Sequence, residues 1–451
     1  MEAAKLNRPM FTGRELVSLA VPIILDAVLG ITAGMADATM VSSAGEAAVS
    51  GVALVDQLFL LLILAYSALA TGGVIITAQY IGSRDYAKAR VSANQLIYAT
   101  TAVSLLVTIV TICLIPQILH LVYGELEPEV LENAKKYFFY AMLGMPFLAI
   151  GSSGAALLRT MSHSKLALFL TASINVLNII GNAVLIYGFK MGAAGAAIAT
   201  SFSRLVWAVA ALIILHNKAL PVYFENLLKF KIDWGIMKKV MRIGAANGVE
   251  GAMFQVGKLM TASLISSFGT VMIAANYVAS TLCNVGWTIV SSLGTVLMTV
   301  VGQCVGADES QQARNYTKKF LILSQIFVLV LFGSAFLLRN QLVQLFDFEA
   351  DSLQVAAYYT GIGTLCTILA FYGNAFVPVH AFRAAGDVRY AMILTVGSMF
   401  TFRVGLSFLL SYAFELGLLS VWIGMWADWF FRAVMNSIRF RSGKWLQKKL
   451  I

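Results

Sequence analysis

Ionisable side chains are rare inside the apolar segments of this chain, and those that occur there are the first candidates for chemistry. Asp37 lies in the first apolar segment, eleven residues after Asp26. On a helix this spacing puts the two carboxylates on nearly one face, roughly 16 Å apart. A charge at the centre of a bilayer costs at least about 2.5 to 3.5 kcal/mol, so each such residue needs a partner or has a function.

Two kinds of chemistry are open to Asp37. A carboxyl group taken out of water is harder to ionise, so Asp37 could bind and release a proton, or it could hold Na⁺ together with neighbouring oxygens. A structural interpretation stands beside these, because a carboxylate can also be neutralised by a fixed partner or face a wet vestibule. For Asp26 the functional and the structural interpretations are equally open.

Amide and hydroxyl side chains in the fifth and sixth apolar segments could join Asp37. Asn178 and Asn182 are four residues apart and would present their amides on one helical face. Thr200 lies six residues into the next segment. Hydrogen bonding between helices is the alternative role for the two amides.

The second half of the chain offers a different set of residues. Glu250 could meet a cationic substrate in a central cavity, and Lys258 could be the counter-ion of Asp37 or Glu250, or extend its ammonium group to the membrane surface. Aromatic faces and thioethers suit an adaptable pocket for amphiphilic cations. The predicted substrate cavity comprises Asp26, Glu250, Lys258, Met253, Phe254 and Tyr372.

The elements that must position these residues are membrane helices. The chain has 451 residues, of which 59% are hydrophobic and 12% charged, a charged fraction about half that of soluble domains. About twelve apolar runs are long enough to cross a bilayer. They begin near Leu16, Val52, Val91, Tyr137, Leu166, Gly195, Met241, Ile273, Phe320, Ala357, Tyr390 and Gly417.

The basic residues fall in short loops between these runs. Every second loop is basic, as at Arg84, Lys88 and Arg90, whereas the opposite loops are richer in acids such as Glu125 and Glu127. The positive-inside rule therefore predicts a cell-membrane protein with both termini in the cytoplasm. The formal charge of +10 is explained by this topology, and binding of nucleic acid is not expected.

The second half of the chain repeats the first at an offset of 224 residues. Under this offset Arg159 lands on Arg383, and the segment 79–82 lands on 303–306. Six segments in each half give both halves the same orientation, which predicts two parallel bundles, residues 1–218 and 239–451, joined by a cytoplasmic linker at 219–238. At the same offset Asp37, Asn178, Asn182 and Thr200 fall opposite Thr261, Phe402, Leu406 and Gly424, so the candidate ion site belongs to the first half.

Several motifs in order resemble the multidrug and toxic compound extrusion (MATE) transporters across nearly the whole chain. The first segment has Pro22 followed fifteen residues later by Asp37, similar to the first helix of that family. The other matching segments are 77–82 with its repeat 302–306, which resemble the glycine-ended second and eighth helices, 191–200 at the start of the sixth helix, and 424–432 in the last.

The resemblance implies an all-α membrane fold and an antiporter that takes in H⁺ or Na⁺ and exports amphiphilic, cationic organic compounds by rocker-switch alternating access. In one branch of the family, positions matching Asn178, Asn182 and Thr200 join the first-helix aspartate in a cation-binding network, which would be the Na⁺ site. That branch typically has an acid where this chain has Asn182, a departure that favours H⁺. The resemblance also suggests a hinge at Pro22.

Another branch uses an acid in the seventh helix together with acids in the tenth, and only Glu250 is present here. The alternative function is a flippase for lipid-linked saccharides, which would need several basic cavity residues, and only Lys258 and Arg403 qualify. Asp428 and Arg432, four residues apart, are predicted to form a structural ion pair.

An enzyme is not expected, because the sequence has no phosphate-binding loop and its four histidines have no metal spacing. No cofactor beyond the coupling ion is expected. The predicted partners are small organic molecules and membrane lipid, and the protein is expected to work as a monomer.

Overall fold

The computed structural model describes residues 9–224, 231–346, 350–448 and 450–451. Within these ranges the chain is helical, with no β-strand. The predicted linker at 219–238 lies partly outside the described residues, since 225–230 are not among them.

Eight helices make up the first half, and a π-helical turn, Ala183–Gly188, extends α7. Their bounds are α1 Gly13–Ser42, α2 Glu46–Gly82, α3 Tyr86–Cys113, α4 Ile115–Tyr123, α5 Pro128–Leu143, α6 Met145–Thr160, α7 Ser164–Asn182 and α8 Gly192–Leu215.

The second half follows the same order, with a π-helical segment, Met399–Leu406, after α15. Its helices are α9 Trp234–Ser266, α10 Thr270–Gly306, α11 Ser310–Leu337, α12 Arg339–Val343, α13 Ala350–Leu369, α14 Tyr372–Ala384, α15 Val388–Ser398, α16 Ser407–Phe414 and α17 Leu418–Ser442.

The membrane spans agree with the sequence prediction. Nine helices of the described chain are long and apolar enough to cross a membrane, or eleven when each of two bent pairs, α5 with α6 and α13 with α14, counts as one span. The remaining predicted span corresponds to α9, which has 33 residues and carries more charge, including Glu250 and Lys258. Eleven of the twelve predicted starting points fall within helices, and the twelfth, Gly417, directly precedes α17.

The duplication is visible in the backbone. Helices α2 and α10 have 37 residues each, α3 and α11 have 28 each, and each pair begins 224 residues apart. Residues with positive φ repeat as well: Gly45 and Gly269 precede α2 and α10, and Arg84 and Asp308 precede α3 and α11. The predicted duplication of the helices is therefore confirmed in the described residues.

The offset is not constant to the end of the chain, and this corrects part of the sequence comparison. Lys190 and Gly192, both with positive φ, correspond to Glu415 and Gly417, an offset of 225. The extra residue lies between Val388 and Glu415, in the eleventh span, which contains the π-helical segment Met399–Leu406. A π-bulge is the usual way in which a helix absorbs an insertion. Thr200 therefore corresponds to Met425 and not to Gly424.

The fourth and tenth spans are bent at matching places. Helices α5 and α6 meet at 46° around Gly144, with Pro146 in the first turn of α6. Helices α13 and α14 meet at 52° around Phe371, which has φ 52°. Pro378 lies inside α14, away from this bend, and Pro22 lies inside the continuous helix α1.

Packing divides the protein into two units. One contains Gly13–Gly248, and the other contains Val249–Ile451 together with the described residues up to Thr12. The start of α9 belongs to the first unit because Gly244 packs directly on Leu69, where an added Cβ would lie 2.9 Å from the Leu69 Cα. The unit boundary thus lies inside α9, ten residues beyond the end of the predicted linker at 238. Below, the N-lobe is residues 13–248 and the C-lobe is the other unit.

Gly144 allows the close approach of the bent fourth span to α8. A Cβ at this position would lie 2.8 Å from the Cα of Ser201, so Gly144→Ala should force the helices apart and destabilise the protein by about 1 to 3 kcal/mol. Gly30 in α1 has no neighbour within 4 Å of such an atom, and Gly30→Ala should be neutral or stabilising by up to about 1 kcal/mol. Thermal unfolding of the purified variants measures the difference. Equal Tm values for both would show that the bend does not depend on this contact.

Candidate functional site

Asp37 lies in a hydrogen-bonded network with the three residues predicted to accompany it. Asn182 Nδ2 donates to Asp37 Oδ1 at 2.7 Å. One end of the Asn178 amide lies 2.8 Å from Asp37 Oδ1 and 3.2 Å from Oδ2, and the other end lies 3.0 Å from Thr200 Oγ1. Facing an ionised Asp37, the Asn178 nitrogen donates to the carboxylate while its oxygen accepts from the Thr200 hydroxyl.

The helices position this network through spacing and small residues. One turn of α7 separates the two amides and places both on the side that meets α1. Helix α8 can come close to α7 because Gly181 faces Ala199, whose Cβ would lie 3.1 Å from a Cβ added at position 181. This approach brings Thr200 within reach of the amides. Asn178 and Asn182 are 8% and 1% exposed, whereas Asp37 is only half-buried and can be reached by a small cation.

Three further residues extend the network, and sequence reasoning missed them. Asp56 is exposed on α2 and accepts a hydrogen bond of 2.9 Å from the Tyr137 hydroxyl. Arg204, on α8, interacts electrostatically with both Asp56 and Asp37. The signal was available, since Asp56 and Arg204 are charged residues inside apolar spans, the same criterion that singled out Asp37.

The charges of this cluster do not balance. Two carboxylates, Asp37 and Asp56, face one guanidinium, Arg204, so the ionised cluster carries one negative charge in excess. The buried Asn182 Oδ1 has no hydrogen-bond partner. Across the described residues, no group of three or more His, Cys, Asp or Glu side chains could hold a metal ion. The excess of one negative charge equals the charge that one monovalent cation would neutralise.

The other predicted acids have fixed partners. Asp26 pairs with Arg159 in the N-lobe, and Glu250 pairs with Arg383 at 2.6 Å in the C-lobe. The two pairs are related by the repeat, since acid and arginine both shift by 224 residues. Glu250 is thus neutralised by Arg383 and not by Lys258, which is exposed and forms no ion pair among the described residues. Membership of Asp26 and Glu250 in a substrate cavity stays a prediction.

The remaining cavity candidates lie in the C-lobe. Phe254 stacks beneath two guanidinium groups, 5.5 Å from that of Arg403 and 5.8 Å from that of Arg432. Tyr372 is buried, whereas Met253 is half-buried. The predicted ion pair between Asp428 and Arg432 is confirmed, with two bonds of 2.8 and 2.9 Å.

Comparisons with known proteins give one consistent picture. The sequence profile of the MatE family matches residues 22–184 and 248–409. The chain is similar to the probable multidrug resistance protein NorM of Thermotoga maritima, with 26% identity over 97% of this chain and 94% of that protein. The uncharacterized transporter YisQ of Bacillus subtilis is also 26% identical, over 99% and 98% of the two chains. A solved MOP superfamily transporter from Pyrococcus furiosus matches with a TM-score of 0.88, 20% identity and 96% coverage of each chain.

The two repeat-related pairs should behave as structural units. Asp26→Asn leaves Arg159 without its partner and should destabilise the protein by about 1 to 3 kcal/mol, less than for a fully buried pair because both side chains are partly exposed. The double variant Asp26→Asn/Arg159→Gln should recover much of the loss, and Glu250→Gln with Arg383→Gln should follow the same pattern. Double-mutant cycles of thermal stability measure the coupling. Losses that simply add would argue against both pairs.

Proposed function

We propose that this chain, which belongs to the MatE family of multidrug efflux transporters, is a proton-coupled antiporter whose proton is carried by Asp37. The proposal extends to substrate and mechanism: amphiphilic organic cations leave the cell by rocker-switch alternating access. The protein would reside in the cell membrane with both termini in the cytoplasm. The observation that carries it is the half-buried Asp37 carboxylate held by two amides in a cluster with one excess negative charge.

The excess charge supports coupling to a single monovalent cation. An uncompensated charge within the membrane is costly, so the empty cluster with Asp37, Asp56 and Arg204 ionised favours taking up one positive charge. A proton on Asp37 makes the cluster neutral. A cationic substrate would relieve the same charge, so proton and substrate oppose one another, as antiport requires.

The Asn178 amide provides a local response to protonation. When Asp37 is ionised, the amide nitrogen faces it and the amide oxygen accepts from Thr200. When Asp37 is protonated, the amide reverses, so that the carboxyl O–H donates to the amide oxygen and the nitrogen donates to Thr200 Oγ1 across the same 3.0 Å. Each state keeps a hydrogen bond at both ends of the Asn178 amide, and α1 exchanges an acceptor for a donor toward α7. Pro22, inside α1, removes one backbone hydrogen bond and is the proposed hinge for the resulting movement.

Sodium is the second candidate ion, supported by one observation. The buried Asn182 Oδ1 has no hydrogen-bond partner and lies in the network next to Asp37, so it could serve as a neutral oxygen ligand. Proton binding leaves that oxygen unused, whereas Na⁺ binding would use it together with the carboxylate.

The direct test is export of a cationic dye such as ethidium from proteoliposomes under an imposed pH gradient or, separately, an imposed Na⁺ gradient. The pH gradient should drive export, and Asp37→Asn should lower the driven rate at least tenfold. Glu46→Gln, which removes an exposed acid at the start of α2, is the matched control and should retain the wild-type rate. Driven export that survives Asp37→Asn would overturn the role of Asp37, and export driven by neither gradient would overturn antiport.

The ion preference should respond to one substitution at the departure from the family pattern. Asn182→Asp adds a second carboxylate beside Asp37 and raises the excess negative charge of the cluster from one to two, so it should make export depend on Na⁺. The same proteoliposome assay, run at equal pH on both sides with a Na⁺ gradient, measures this. A variant that stays insensitive to Na⁺ would show that charge at position 182 does not set the choice of ion.

A further inference from the structure

Two cations that lie well within the membrane helices of the C-lobe are left outside its ion pairs. The described acids that lie well within the membrane helices of this lobe are Glu250 and Asp428. Glu250 is paired with Arg383, and Asp428 accepts hydrogen bonds from Nε and Nη2 of Arg432. Arg403 and Lys258 form no ion pair among the described residues. The two positive charges lie close enough to repel one another.

Arg403 is buried between two aromatic rings. It is 6% exposed, and its guanidinium lies 5.5 Å from the Phe254 ring centroid and 5.6 Å from that of Trp429. Its nearest side-chain acceptor is the thioether of Met399, at 3.9 Å, which is a weak one. Stacking between two aromatic faces leaves the edge of a guanidinium, with its N–H donors, free for a further partner.

Aromatic rings surround this edge. Tyr372 packs against Trp429 at 5.2 Å and against Phe376 at 4.3 Å, and Trp287 packs against both Tyr372 and Trp429. Lys258 lies one turn after Phe254 on α9, is exposed, and interacts electrostatically with Arg403. The site thus combines a buried guanidinium, a second cation and aromatic walls.

We propose that Arg403 and Lys258 form a binding site in the C-lobe for the anionic group of an aromatic amphiphile, with Arg403 as the anchor. Asp428 also attracts Arg403, but both of its oxygens accept hydrogen bonds from Arg432. Arg403, Arg432, Lys258 and Asp428 together carry two positive charges in excess within the membrane helices, which favours binding of an anion. Carboxylate, sulfonate and phosphate groups match the planar donors of arginine. The rings would hold the apolar body. The inference goes beyond the proposed function, because it adds a second ligand class, compounds with an acidic group, to the organic cations proposed above. It rests on binding in the C-lobe and not on the coupling ion.

The test uses three probes that share one ring and differ in charge: 2-naphthoate, 2-naphthamide and 2-naphthylmethylammonium. Equilibrium binding to the whole protein in phosphatidylcholine nanodiscs, with empty nanodiscs as baseline, should favour 2-naphthoate. Arg403→Gln should weaken that binding roughly tenfold to a hundredfold, as loss of a charged hydrogen bond does. Lys258→Gln should weaken it less, and Arg403→Lys should retain part of it.

Arg339 provides the matched control. It also stacks on a ring, 4.6 Å from the centroid of Phe336, but outside the cluster, so Arg339→Gln should bind 2-naphthoate as wild type does. If Arg403→Gln does not fold, Arg403→Lys and the exposed Lys258→Gln carry the test. Equal affinity for the three probes, or 2-naphthoate affinity unchanged in the variants at both positions, would overturn the proposal.

Two competitors separate the sources of the anion. The first competitor is phosphatidic acid in the nanodisc, and the second is chloride in the buffer. If either of them binds in a way that depends on Arg403 and 2-naphthoate does not, the site belongs to a lipid headgroup or an inorganic ion, and the proposal is overturned. The result is independent of coupling: loss of gradient-driven export in Asp37→Asn with intact 2-naphthoate binding supports both proposals. If gradient-driven export is intact but 2-naphthoate binding does not depend on Arg403, only the proposal of an anion site is overturned.

Discussion

The cost of placing charge in the hydrocarbon region governs the arrangement of polar residues throughout this protein. Three acids of the membrane helices are met by arginines: Asp26, Glu250 and Asp428. In each pair the arginine neutralises the acid, so the pair adds no net charge to the membrane helices. Few charged side chains of the membrane helices lie outside these pairs, and the two lobes differ in their sign. An acidic cluster surrounds Asp37 in the N-lobe, and a basic cluster surrounds Arg403 in the C-lobe.

The internal repeat shows which parts of the structure serve architecture. Helix lengths, positive-φ positions and the ion pairs of Asp26 and Glu250 recur in both halves, so they belong to the framework that each bundle needs. The unpaired charges do not recur. Asp37 has Thr261 in its place in the second half, where Thr261 bonds only to the backbone of its own helix. The buried polar groups therefore differ between the two halves of a repeated scaffold, with excess negative charge in the N-lobe and excess positive charge in the C-lobe.

Local spacing explains which parts could be predicted from the sequence. The twelve spans follow from apolar length, and the grouping of Asn178 with Asn182 follows from the helical repeat, so both were accessible. The sequence shows Arg159 and Arg383 but not that they pair with Asp26 and Glu250, because pairing across helices depends on which faces pack together. Asp56 was overlooked although the same criterion identifies it. The shift from 224 to 225 was hidden because a π-bulge absorbs one residue without changing the neighbouring sequence.

If Asp37 gives up its proton when substrate binds, the binding of substrate to the purified protein should release protons into the solution. Purified protein in lightly buffered detergent, equilibrated near neutral pH with a pH-indicator dye, is titrated with ethidium. With ethidium added to saturation of each protein, we expect release of up to one proton per bound ethidium in the wild type and none in Asp37→Asn. Equal proton release from both proteins, or ethidium binding without any release from the wild type, would contradict it.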